Sequence, residues 1–299
     1  MYYVNRRDVL KTAVASAFGF CIAPRAVDAQ QRLSDRLQVL DGGGANVVAL
    51  SGGDGAVLVD SGAPKSGDKL MPALSGAKVQ TLFNTHYHLD QTGNNEIFAA
   101  AGAKIIAHVR TLQWMSTDYW VPLEDRYEKA RPKAARPTET FLSTGSLKVG
   151  GEQIDYGYLD LAHTSGDIYV FFRNANVLAA GDVVSPLRDP TLDYYTGAWI
   201  GGRVDSMDVL LKLANDQTKI VPAYGPIMTK AQLKAERDVM EEVRARLFKT
   251  VREGDGPKEM LEAGVLKDLP RTWKDPEKFL YAAAKGLWAH HDKLDPNVV

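Results

Sequence analysis

The stretch Thr85-His86-Tyr87-His88-Leu89-Asp90-Gln91-Thr92-Gly93 places two histidines two residues apart and a carboxylate two residues further on. The apolar run Val79-Gln80-Thr81-Leu82-Phe83 leads in and reads as a buried strand. A helix-start pattern, Thr92 to Asn95 before Glu96-Ile97-Phe98-Ala99-Ala100, leads out. The H-x-H-x-D run therefore falls at a strand end, where open α/β sheets carry their chemistry. In extended chain, side chains two residues apart share a face. That geometry predicts that His86, His88 and Asp90 converge on one point. Two imidazoles and a carboxylate suit zinc or a similar borderline cation. A single loop histidine would carry no such meaning, but the chain has only six histidines and two of them alternate with a carboxylate here.

This run resembles the H-x-H-x-D-H signature of the metallo-β-lactamase fold family, with Gln91 in place of the last histidine. Further turns resemble that family in the same order. Val59-Asp60-Ser61-Gly62 is similar to a recurring turn whose aspartate supports a metal ligand, with an ordinary turn aspartate as an equal alternative. Ala162-His163-Thr164-Ser165-Gly166-Asp167 resembles G-H-T-x-G-D, which implies that His163 is a third histidine ligand. Gly181-Asp182 stands where the family has a metal-bridging aspartate. Pro222-Ala223-Tyr224-Gly225-Pro226 stands where it has P-G-H-G, so Tyr224 takes the place of the final histidine. The resemblance covers nearly all of the chain after residue 29. It implies an α/β fold, the four-layer αβ/βα sandwich, and hydrolysis in which metal-bound hydroxide attacks an ester, thioester, lactone or amide carbonyl, β-lactams included.

On this reading His86, His88 and His163 form a complete tri-histidine half, able to hold Zn2+ with a fourth position open to water. The second half keeps Asp90 and Asp182 but has Gln91 and Tyr224 where histidines are expected. A glutamine is a weak neutral ligand, and a tyrosine binds well only as phenolate, against a free pKa of about 10. One tight zinc is therefore expected, with two as the alternative. The Gln91 amide and the Tyr224 hydroxyl are expected to satisfy the two carboxylates by hydrogen bonds. Asp90 or Asp182 is expected to orient the attacking water or act as general base. Tyr224 is expected either to donate to the oxyanion or merely to close the vacant half. Trp114, Tyr119, Trp120, Tyr194 and Tyr195 are candidates for a lip that favours an apolar or aromatic small-molecule substrate. His108 reads as a satisfied core or edge histidine, and His290 and His291 as a solvated helix end. A non-catalytic periplasmic metal- or ligand-binding protein of the same fold is the alternative function. A redox iron protein is the third reading, opposed by the lost second-half histidines.

The surrounding chain supplies elements for these turns. Strands are expected at Leu37–Leu40, Asn46–Leu50, Ala56–Val59, Lys104–His108, Leu147–Val149, Gln153–Leu161, Ile168–Phe172, Val177–Ala180 and Lys219–Val221. A helix capped by Asp205 or Ser206 is expected to run to about Ala214. A long helix from about Lys230 to Arg252 carries Leu233, Met240, Val243, Leu247 and Val251 on one face, with Gly254 ending it. Two shorter helices follow, at Lys258–Glu262 and Pro276–His290.

Composition is that of a globular domain: 299 residues, 45% hydrophobic, 24% charged, net charge −1. No basic excess points to nucleic acid. The single cysteine, Cys21, excludes an internal disulfide framework and a cysteine-based zinc site. Residues 1–29 read as a removable export signal. Asn5-Arg6-Arg7-Asp8-Val9-Leu10-Lys11 resembles a twin-arginine signal, a short apolar segment follows, and small residues precede a cleavage point near Ala29. The apolar segment is too short to anchor the chain stably in a bilayer. The expected partner there is the twin-arginine export machinery, the expected location is the periplasm, and residues 30–299 form one hydrolase domain.

Overall fold

The computed structural model describes residues 30–290 apart from residue 54. Residues 1–29, where an export signal is expected, with Cys21 among them, and His291 lie outside the described residues. Among the described residues no helix is long and apolar enough to cross a membrane.

The first half opens with β1 (Gln30–Arg32), β2 (Leu37–Asp41), β3 (Asn46–Gly52) and β4 (Gly55–Val59), an antiparallel meander. Helix α1 (Gly67–Ala73) then leads to β5 (Val79–Phe83), and α2 (Leu89–Thr92) and α3 (Asn95–Ala100) lead to β6 (Lys104–His108). After α4 (Val109–Met115) comes a small hairpin, β7 (Tyr119–Val121) and β8 (Arg126–Glu128), before β9 (Glu139–Phe141). Strands β5, β6 and β9 extend the first sheet in parallel, in the order β1-β2-β3-β4-β5-β6-β9. The second sheet runs β10 (Thr144–Val149), β11 (Glu152–Tyr158), β12 (Ile168–Phe172) and β13 (Val177–Gly181), antiparallel. Helix α5 (Ile200–Leu213) crosses over to β14 (Lys219–Pro222), parallel to β13, and α6 (Lys230–Glu253), α7 (Pro257–Glu262) and α8 (Pro276–Ala289) complete the chain.

Alternation along the strands explains the layering, because successive side chains point to opposite faces. Val48, Leu50, Val57 and Val59 meet Ile154, Val170, Phe172 and Val177 between the two sheets. Their sequence neighbours Val47, Ala49, Ala56 and Leu58 pack outward on Leu70, Leu74 and Phe98 of the α1 and α3 region. On the second sheet, Leu178 and Ala180 face Met207, Leu210, Met240, Val243 and Leu247 of α5 and α6. The order is helices, sheet, sheet, helices. Each of these larger apolar side chains contributes roughly 1.5–3 kcal/mol by leaving water. Helix α6 is also closed at both ends. Thr229 and Gln232 form a reciprocal cap, and Gly254 ends it at φ 83°.

Helix α5 departs from the sequence expectation. It begins at Ile200, so Asp205 and Ser206 lie inside it rather than capping it, and its first turn has no side-chain cap. Packing sets its start: a Cβ on Gly202 would stand 2.4 Å from the Leu161 carbonyl oxygen, an approach only glycine allows. His290 is not a solvated end either. Its ring stacks on Trp199 at 4.7 Å, and its Nδ1 lies 2.9 Å from the Gly286 carbonyl oxygen.

Candidate metal centre and active site

The loops at the ends of β4, β5, β11 and β13 meet at one edge of the sandwich. The H-x-H-x-D run is not extended chain there. Residues 85–87 are bent, and Asp90 and Gln91 fall in the short helix α2. Strand alternation therefore does not bring Asp90 onto the histidines. The potential ligand atoms of His86, His88 and His163 all lie within 4.8 Å of one another, a group without Asp90.

Each ring is oriented by its other nitrogen. His163 Nδ1 faces the Thr191 carbonyl oxygen at 2.9 Å; a carbonyl only accepts, so Nδ1 carries the proton and Nε2 a lone pair. His88 Nε2 faces Asp193 Oδ2 at 2.7 Å, so its Nδ1 is the atom turned to the cluster. Thr85 donates its hydroxyl to Asp60 Oδ2 at 2.7 Å and so accepts from His86 Nδ1 at 3.0 Å. The remaining nitrogen, His86 Nε2, is buried without a hydrogen-bond partner. His163 Nε2 and His88 Nδ1 stand 3.0 Å apart, a distance at which a proton on His88 Nδ1 is donated to His163 Nε2. Three converging ring nitrogens, one of them buried without a partner, fit a cation that displaces the proton between the other two. Imidazoles held by a carbonyl, a carboxylate and a hydroxyl–carboxylate relay are the usual arrangement around metal ligands.

The supports are buried. Asp193 also accepts from the Tyr87 hydroxyl. Burial opposes charge on His88, but Asp193 outweighs it and raises the imidazole pKa to about 9, so Nδ1 carries a proton that a bound cation would displace. Burial likewise opposes ionisation of Asp193, and His88 reverses this and lowers its pKa. His86, with burial first and two neighbouring imidazoles next, stays neutral well below its ordinary range. Asp60 sits at φ 64° and receives the Thr85 amide at 2.8 Å as well as its hydroxyl. Burial raises its pKa to about 8, against the Thr85 bonds. Of its two sequence readings, the geometry supports a group that holds His86. Asp167 shapes the His163 turn by accepting from the amides of His163 and Thr164 at 2.7 and 2.8 Å and from the Thr164 hydroxyl at 2.8 Å.

Asp182 follows Gly181, which has φ 56° and whose Cβ would stand 2.9 Å from Thr85 Cβ. Its Oδ1 accepts from Ser185 Oγ at 2.7 Å, and its Oδ2 lies 3.8 Å from His163 Nε2. Arg203, fully buried, donates to the Asp182 carbonyl at 2.9 Å and to Ser185 Oγ at 2.8 Å. Removing Arg203 would orphan both acceptors inside the protein. Arg203→Ala is expected to cost about 3 kcal/mol in urea unfolding, whereas an unchanged midpoint would show that these bonds do not hold the loop.

On the other side Tyr224 donates its hydroxyl to Asp90 Oδ2, while Asn46 pins its turn through Pro222 and Gly225 carbonyls at 2.8 and 2.9 Å. Burial first and the Asp90 charge next raise the Tyr224 pKa above the ordinary range, so it is a neutral donor. Its one proton is committed to Asp90, which removes support for the oxyanion role. Gln91 is also not as expected: it is fully buried, but neither amide atom has a partner, so it satisfies no carboxylate.

Of the five lip candidates, four meet. Trp114, Tyr119 and Tyr195 cluster with buried Tyr87, at ring separations of 5.3 to 6.5 Å. Trp114 Nε1 donates to Ser165 Oγ at 2.8 Å and ties this wall to the His163 turn. Tyr194 joins them edge-on through Tyr195 at 5.9 Å and also contacts Tyr281 of α8, whereas Trp120, on the opposite face of β7 from Tyr119, packs on Tyr127 at the surface. His108 is a structural histidine, stacked on Tyr158 at 3.9 Å with Nε2 3.1 Å from the Leu142 carbonyl oxygen.

A family model described as the Metallo-beta-lactamase superfamily matches residues 40–225, more than half of the chain and every turn described above. The chain belongs to this superfamily. Among curated relatives it is 25% identical to the metallo-beta-lactamase IND-1 of Chryseobacterium indologenes over 146 residues, 49% of this chain and 55% of that protein. It is 23% identical to the type 2 metallo-beta-lactamase of Bacillus cereus over 204 residues, 66% of this chain and 73% of that one. A metallo-beta-lactamase from Pontibacter korlensis shares the fold with a TM-score of 0.59 at 18% identity, covering 71% of this chain and 98% of its own. A double mutant of the sec-alkyl sulfatase PisA1 gives a TM-score of 0.63 at 13% identity over 90% of this chain and 52% of its own. The metallo-beta-lactamase superfamily is one of zinc-dependent hydrolases, and His86, His88 and His163 form a group that could hold a metal ion in this member.

Asp193, Thr85, Thr191, Ser185, Arg188 and Arg203 were not singled out in the sequence. Only Arg203 carried a signal, a cation within the otherwise apolar start of α5. Asp193 lies in an irregular loop with no periodicity to mark it.

Proposed function

We propose that this superfamily member is a hydrolase with one tight zinc, held by His86, His88 and His163, acting on an ester, thioester, lactone or amide of an apolar or aromatic acid. The observation that carries this reading is the convergence of three oriented imidazole nitrogens beside a second half in which Tyr224 already occupies Asp90. Zinc in such a site supplies a Lewis acid and brings the pKa of a water to about 7. Asp182, with Oδ1 tied to Ser185 and Oδ2 3.8 Å from His163 Nε2, would serve as the general base for a water at this site. Trp114, Tyr119 and Tyr195 offer flat apolar surface for the acyl group. β-Lactams, the substrates named for its curated relatives, belong in the test panel. With residues 1–29 read as a twin-arginine signal, the mature enzyme works in the periplasm.

The test is zinc content per mature chain after mild dialysis, with turnover of aryl esters, thioesters, lactones and a chromogenic cephalosporin on the same sample. About one zinc with turnover of at least one acyl class is expected. A zinc-loaded protein inert toward the whole panel would sink the hydrolase reading, and two tight zinc ions would sink the one-metal part of it.

A further inference from the structure

The Asp182–Arg188 segment ends in a cation that the reaction above does not use. The Arg188 guanidinium carbon lies 3.1 Å from the centre of the Tyr224 ring, on the residue whose hydroxyl holds Asp90. Arg188 is exposed, and among the described residues no carboxylate forms an ion pair with it. Its backbone, by contrast, is firmly placed. Arg271, itself buried against Glu236, donates to the carbonyl oxygens of both Ser185 and Arg188. Arg203 holds the other end of the same segment at Asp182 and Ser185. Two buried arginines thus fix a loop whose tip presents a third arginine, without a carboxylate partner, at the half of the site that has lost its histidines.

We propose that Arg188 takes the electrostatic place of a second metal ion, disfavouring a second dication beside Asp90 and holding the oxyanion that leaves when the acyl bond breaks. The inference rests on the one-zinc hydrolase reading. In ester cleavage the water oxygen forms the new bond to the acyl carbon and the old carbon–oxygen bond breaks. The electron pair of that bond departs on the leaving oxygen, and one water proton reaches that oxygen to give the alcohol. Guanidinium N–H groups stabilise the leaving oxygen before the proton arrives, as preorganised donors do for developing charge. A planar fork of donors on an aromatic face is suited to this, and a lysine at the same place is not equivalent. The substrate class that gains most is esters of weakly acidic alcohols, whose leaving oxygens carry the most charge.

Two measurements test it on the full mature chain. The first is zinc titration by calorimetry of the wild type, Tyr224→His, Arg188→Ala and the double variant. One tight zinc is expected in the wild type and in Arg188→Ala. Tyr224→His is expected to add a weak second zinc, and the double variant to bind it about tenfold more tightly, because a like charge has gone. The second is hydrolysis of an ester series graded by leaving-group pKa. Arg188→Ala is expected to lower kcat by about 10²-fold for poor leaving groups and little for good ones. Equal second-zinc affinities in Tyr224→His and the double variant, or an unchanged dependence on leaving-group pKa, would overturn the proposal. If the wild type holds one zinc and turns over esters while Arg188 is indifferent, only this inference falls. Absence of tight zinc or of turnover removes the underlying reading as well.

Discussion

His86→Ala is expected to abolish tight zinc binding and to lower acyl turnover by about 10³-fold. His86 is the sharpest place to test the centre because its Nε2 is buried, oriented and without any protein partner. Its burial disfavours the charged form, so the nitrogen is not retained there as a cation. A metal is the ligand that such an atom suits. The loss should also appear in stability. A ligand that binds only the folded state adds about 2.7 kcal/mol at a hundredfold excess over its Kd. Added zinc should therefore raise the melting temperature of the wild type and leave that of His86→Ala unmoved. A variant that still binds one zinc tightly and turns substrate over at the wild-type rate would show that the orphaned nitrogen has another purpose.

Asp193→Ala should have the second largest effect, although Asp193 touches no reacting atom. It accepts from both His88 Nε2 and the Tyr87 hydroxyl, and all three groups are largely withdrawn from water. Without it, His88 loses the bond that directs its Nδ1 into the cluster, and a buried charge loses its partner. Zinc affinity is expected to fall by about 10–100-fold and stability by about 3 kcal/mol. Tyr87→Phe separates the two roles. It removes one hydroxyl at a cost of about 1 kcal/mol and should leave zinc affinity nearly intact. If Tyr87→Phe weakened zinc as much as Asp193→Ala, the carboxylate would be acting through packing rather than through the His88 tautomer. Chelator competition and urea unfolding on the same samples give both readouts.

These expectations differ from what fold membership alone would suggest. The two halves of the site rest on different chemistry. The histidine half is held from behind by Asp60, Asp193 and the Thr191 carbonyl, which each leave a ring nitrogen pointing inward. The other half is closed by a neutral tyrosine on an aspartate, with an arginine stacked over it. A glutamine amide without partners remains buried beside them. An unsatisfied buried amide is costly, so Gln91 is a further point at which substitution will report on this half.

The residue types at His86, His88, His163, Asp90 and Asp182 were legible in the sequence because each lies in a short turn after an apolar strand, and both features are local. The strands themselves followed from alternation and β-branched content, and the long helix α6 from its apolar face and terminal glycine, for the same reason. What the sequence could not decide was anything set by distant packing. Helix α5 starts at Ile200 rather than near Ser206 because Gly202 must approach the Leu161 carbonyl, a contact made across 41 residues of chain. Asp90 left the histidine group because its chain turns into α2, where the two-residue period of a strand no longer applies. Trp120 and Tyr119 parted because neighbours on a strand face opposite ways, and only the docking of the hairpin decided which one faces the site. Asp193 reaches His88 from 105 residues away. The sequence offered five candidate metal ligands, of which the structure groups the three histidines. Tertiary packing alone decided which nitrogen of each ring faces inward, because that depends on the carbonyl or carboxylate brought up behind it.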